Sequence, residues 1–87
     1  HEQMNKALKK NKLGAAVAIV ERSDRNDELM EEFFAILTSW FEQIEASEVE
    51  THIKLAEYRD FLHHARRVDP DHPLNSALSA AIKRLTR

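Results

Sequence analysis

Leu29-Met30-Glu31-Glu32-Phe33-Phe34-Ala35-Ile36-Leu37-Thr38-Ser39-Trp40-Phe41-Glu42-Gln43-Ile44 is the stretch that decides the fold. At about 100° per residue its apolar side chains fall in one unbroken arc of roughly 160°. Leu29, Met30, Phe33, Phe34, Ile36, Leu37, Trp40, Phe41 and Ile44 make up that arc. Asp27, Glu28, Glu31, Glu32, Glu42 and Glu45 fill the opposite half. The arc is wider than the stripe of about 100° that suffices to face a core, so more than one neighbour is expected to grip this helix. Leu29, Phe33, Ile36, Trp40 and Ile44 are expected in the core. Met30, Phe34 and Phe41 form the edge left over for a partner.

The remaining chain reads as helices around this one. A first helix is expected from Met4 to Arg22, with lysines in its first half and apolar residues nearly all round its second. Leu13, Val17 and Val20 form one side of that second half and a candidate dimer seam. Gly14 and Ala18, four apart, would permit close approach of another backbone. In Ser23-Asp24-Arg25-Asn26 all but Arg25 are good N-cap residues. Asp27 and Glu28 then sit well near the positive end of the second helix, which spans about 26–46. Ser47-Glu48-Val49-Glu50 has capping-box form, so a third helix is expected to start there. With no Gly or Pro at that point, fusion of helices two and three into one rod is the alternative. Leu55, Tyr58, Phe61, Leu62, Ala65 and Val68 give helix three its core face. Val49, Ile53 and Ala56 lie on another side, as a contact for the first helix or for another molecule.

Pro70 disfavours helical geometry at Asp69 and has no amide hydrogen to donate. Pro73 suits the first position of a fourth helix, about 73–86, with Asp71 or His72 at its cap. Its apolar face is Leu74, Ala77, Leu78, Ala81, Ile82 and Leu85. The sequence therefore predicts an all-α fold: one domain over residues 1–87, a compact antiparallel bundle of four helices, or three if helices two and three are continuous. One Gly and two Pro leave few sharp-turn signals, which also argues against an all-β fold. A chain of 87 residues buries a modest core, and association with a second copy is a common supplement.

Composition removes several functions. The absence of Cys rules out disulfides, thiolate catalysis and Cys-based zinc sites. The basic start followed by Leu13 to Val20 has the flavour of a signal peptide. The apolar run before the small-residue site Ala16-Val17-Ala18 is only Leu13 to Ala15, short of the about 7–15 residues such a segment needs. The run is also too short to span a bilayer. No membrane association and a cytoplasmic location are therefore expected. Met4 is a candidate start residue, and no function is placed on residues 1–3.

His63, His64, Asp69, Asp71 and His72 lie close in sequence, and zinc accepts such ligands. Adjacent His63 and His64 diverge by about 100° on a helix, and there is no His-Glu-x-x-His, so no metal is expected. Thr38 and Ser39 have no histidine at a helical neighbour position, and no Gly-rich phosphate loop exists. Arg22, Arg25, Arg59, Arg66 and Arg67 would have to converge in one cleft to act on an anionic substrate. The expectation is a protein without catalysis and without cofactor.

What remains is binding. Between Asn26 and Glu50 there are eight acids and no Lys or Arg, although the net charge is only −2. The sequence points to a small soluble adaptor or regulator that binds another protein through an apolar helix face with an acidic rim. It is expected to be a homodimer, and its target to have a basic rim. Immunity proteins, antitoxins, secretion chaperones and anti-activators share this size and acidity, by class analogy alone. The expected interface is Met30, Phe34, Phe41, Val49 and Ile53. The alternative is a nucleic-acid-binding regulator using Lys6, Lys9, Lys10 and Lys12 to neutralise phosphates.

Overall fold

The computed structural model describes residues 2–9 and 12–87, with Lys9 by its backbone alone. The described residues form helices α1 (Glu2–Lys9), α2 (Leu13–Arg22), α3 (Asp27–Ala46), α4 (Thr51–Val68) and α5 (Pro73–Leu85), and no strand. The fold is all-α. There is one helix more than predicted, because the expected rod from Met4 to Arg22 is two helices. Lys12 is non-helical (φ −94°, ψ 70°) and its amide reaches back to the Ala7 carbonyl at 2.8 Å. The physical reason lies in Lys9-Lys10-Asn11-Lys12, which offers no apolar side chain to hold a straight rod on the core. Breaking there lets Met4 and Leu8 on one side, and Leu13, Ala16, Val17 and Val20 on the other, enter the same interior.

Two consecutive left-handed residues, Asp24 (φ 55°) and Arg25 (φ 54°), turn the chain between α2 and α3. Asn26 then caps α3, its Oδ1 accepting from the amides of Glu28 (2.9 Å) and Leu29 (3.3 Å). The break between α3 and α4 is real, so the fused rod is excluded. It does not use the capping box. Ser47 instead ends α3, its hydroxyl donating to the Ile44 carbonyl at 2.8 Å, and α4 begins after Glu50 without a side-chain cap. The turn at Pro70 follows the prediction: Pro73 opens α5, and His72 Nδ1 accepts from the Leu74 amide at 3.0 Å. Asn75 secures that turn by donating from Nδ2 to the carbonyls of Asp69 (2.7 Å) and His72 (3.2 Å).

α4 is the central helix, packed on α2, α3 and α5. The end of α3 lies beside the start of α4 and the end of α5. Glu45 accepts from the Tyr58 hydroxyl at 2.9 Å and from Arg84 at 2.5 Å. Those links tie the end of α3 to α4 and to α5. Among the described residues the buried apolar side chains form one cluster, with Phe33, Leu37, Tyr58, Val68 and Leu78 wholly enclosed. Full burial of such a side chain contributes about 1.5–3 kcal/mol.

Candidate functional site

The helix face that the sequence singled out is only partly used by the core, and the unused part lies at the α3–α4 elbow. Because α3 stops at Ala46 and α4 turns back, the last turns of α3 are not fully roofed. Trp40 and Ile44 from α3, Val49 from the connection, and Ile53 from α4 line a groove of about 390 Å³. Phe61 is its floor, 2% exposed, with its ring 6.2 Å from that of Trp40 and tilted by 41°. Ile53, Glu57 and Phe61 recur every four residues, so one stripe of α4 supplies mouth, rim and floor. Among the described residues Val49 and Ile53 are the large apolar side chains left open, at 40% and 44% exposure. Gln43, Ser47 and Glu57 form the polar margin. Glu42, Glu48 and Glu50 are exposed on the same part of the chain, and the nearest following cation, Lys54, is turned to the Glu45 carbonyl at 3.4 Å.

The structure corrects the expected interface residue by residue. Val49 and Ile53 are open and adjoin one groove, and no contact with the first helices covers them. Phe34 is closed, 4% exposed, beneath the imidazole of His72. Met30 packs against the core beside Phe34, and Phe41 is half-buried with its ring edge-on to Tyr58 at 5.0 Å. Phe34 is thus withdrawn from the expected edge, while Met30 and Phe41 stay half-buried beside it. Trp40 and Ile44, expected in the core, are partly buried against it and also line the groove. The expected seam of Leu13, Val17 and Val20 is at most 3% exposed and sealed inside the chain itself, which leaves a second copy nothing to grip there. Gly14 meets the ring of His64 and no backbone: a Cβ built there would be 3.9 Å from His64 Nε2.

The polar candidates are spread out. His63 and His64 stand edge to face at 5.0 Å, His64 Nδ1 is 2.8 Å from the Asp60 carbonyl, and His72 caps α5. Among the described residues no three His, Asp or Glu side chains gather as a ligand set. Arg25 binds the carbonyls of Arg67 (2.9 Å) and Val68 (2.5 Å), and Arg67 pairs with Glu21 at 3.0 Å, so these two serve the ends of helices. Lys6 and Lys12 are exposed; Lys10 and the side chain of Lys9 lie outside the described residues. Burial of Tyr58, followed by its hydrogen bond to Glu45 and the charge on that carboxylate, drives the phenol far above its ordinary value; Arg84 opposes this. Among the described residues no helix is long and apolar enough to cross a membrane.

No protein-family model matches the chain, and no curated protein or solved structure is significantly similar to it.

Proposed function

We propose that this chain is a non-catalytic protein-binding module, a small adaptor or regulator that receives the apolar side chains of another protein in the α3–α4 groove. The observation that carries this reading is the open pair Val49 and Ile53 beside Trp40 and Ile44 in a groove whose polar margin includes Glu57. Desolvating such a cluster favours association, and aromatic side chains such as Trp40 are frequent anchors. The partner is a protein segment with apolar side chains flanked by Lys or Arg. Glu57 edges the groove, and no Lys or Arg lies between Asn26 and Ile53 to compete for it. A second copy docked by the same face would bring like carboxylates together, which disfavours a groove-to-groove homodimer.

The test is selection from a displayed library of helical peptides against the protein, with Ile53→Glu as counter-target. Enrichment of peptides combining an apolar pair at helical spacing with flanking Lys or Arg, and loss of their binding to Ile53→Glu and Val49→Glu, is expected. Peptides that bind wild type and both variants alike would sink the groove assignment. Sedimentation of the protein alone supplies the other arm. A dimer that dissociates on Ile53→Glu would replace the foreign partner with a second copy.

A further inference from the structure

Charge is segregated by helix. α3 carries six acids and no cation, whereas α5 carries Lys83 and Arg84 and no acid. Two cations in the second half of the chain are held by carboxylates. Arg67 is held by Glu21 and Arg84 by Glu45. Arg66 and Lys83 have no carboxylate partner among the described residues, yet both line one pocket of about 470 Å³ between the end of α4 and the outer face of α5. Ser76, Ser79 and Lys83 stand at i, i+3 and i+7 of α5, so two hydroxyls and an ammonium share one face. Ala80 between them leaves the face low enough for a ligand to approach. Asn75 forms part of the wall, 7% exposed. Its amide nitrogen is spent on two backbone carbonyls, and its Oδ1 is a buried acceptor without a donor. Two unpaired cations across one pocket, with hydroxyls between them, match an oxyanion. A guanidinium presents a planar fork to phosphate oxygens and an ammonium supplies a mobile point charge.

We propose that this pocket binds the phosphate group of a small hydroxylated phosphomonoester, held by Arg66 and Lys83 and hydrogen-bonded by Ser76 and Ser79. A small ligand fits better than a polynucleotide. The turn at the pocket's Pro70 edge carries Asp69 and Asp71, and a phosphodiester chain running past it would meet those carboxylates. The site is separate from the groove and stands without it.

The test is an amide chemical-shift titration at constant ionic strength with glycerol phosphate, glycerol, and a single-stranded oligothymidylate. Saturable shifts at Ser76, Ser79 and Lys83 with glycerol phosphate and none with glycerol are expected. The double variant Arg66→Ala, Lys83→Ala should weaken binding by about tenfold or more. Both residues are exposed, so its circular dichroism should match wild type. No saturable shift with glycerol phosphate, equal shifts with glycerol, or unchanged affinity in a folded double variant would each overturn the proposal. Saturation by the oligothymidylate alone would overturn the small-ligand assignment.

Discussion

The imidazole of His72 lies flat on the ring of Phe34, with centroids 3.7 Å apart and planes 2° from parallel. The same imidazole caps α5 through Nδ1. One side chain thus covers an aromatic of α3 and satisfies a free amide of α5. An Nδ1 that accepts carries no proton, so the cap requires the neutral ring with its hydrogen on Nε2.

His72→Ala is expected to remove both roles and to cost about 1–3 kcal/mol, the loss of a cap and of buried ring contact together. His72→Asn returns an acceptor to the cap without the lid over Phe34. It should recover part of that loss. Urea unfolding of the three proteins measures the split. Equal midpoints for the Asn and Ala variants would show that the cap contributes nothing.

Closure of Phe34 by His72 also separates folding from docking. Phe34→Ser places a hydroxyl and a void in the core and should cost about 3–5 kcal/mol, much of the total of about 5–15 kcal/mol for a small domain. Ile53→Ser, at an open position, should change stability by no more than about 0.5 kcal/mol. Thermal melts distinguish them. An Ile53→Ser protein as damaged as Phe34→Ser would mean that Ile53 belongs to the core.

Periodicity made the helices legible because the arcs on α3, α4 and α5 are written locally, as is Pro73. It assigned faces without naming neighbours. Phe34 looked available because His72, which covers it, is remote in sequence. Trp40 and Ile44 looked fully enclosed, although they are half-buried, because nothing in their own helix shows where α4 turns back. The separation of α1 from α2 was missed because Leu8 and Leu13 suit a helix on either side of the lysines. Arg66 and Arg67 are neighbours in sequence, yet the helix turns them apart, Arg67 to Glu21 and Arg66 to the α5 pocket.

The turn into α3 holds two left-handed residues, a conformation that costs an ordinary side chain about 1–2 kcal/mol, less for Asp. Asp24→Gly should relieve that strain and, after the extra chain entropy of Gly, stabilise by roughly 0.5 kcal/mol. Arg25→Gly relieves the same strain but loses the bonds to the carbonyls of Arg67 and Val68 at the end of α4. It should destabilise by about 1 kcal/mol net. Opposite signs from two adjacent Gly substitutions, read by chemical denaturation, are the expected result. Matching signs would remove Arg25 as the clasp on α4.

Tyr58 should make the fold sensitive to alkali. It is wholly buried and donates to Glu45 at 2.9 Å. Burial first, then the bond and charge of Glu45, raise its folded-state pKa above the ordinary 10.0. A group raised in the folded state contributes stability that is whole below its unfolded value and fades as pH climbs from there toward the folded value. Stability should therefore fall as pH rises above 10.0, and phenolate absorbance should appear together with loss of helicity. The chain has a single Tyr, so the signal is unambiguous. Tyr58→Phe forfeits the bond to Glu45 near neutral pH but should lose less stability than wild type above 10.0, narrowing the gap between them. Glu45→Gln removes the carboxylate charge, so Tyr58 should ionise at lower pH than in wild type. Phenolate forming near the ordinary value while the wild-type helices stay intact would contradict the sealed contact between Tyr58 and Glu45.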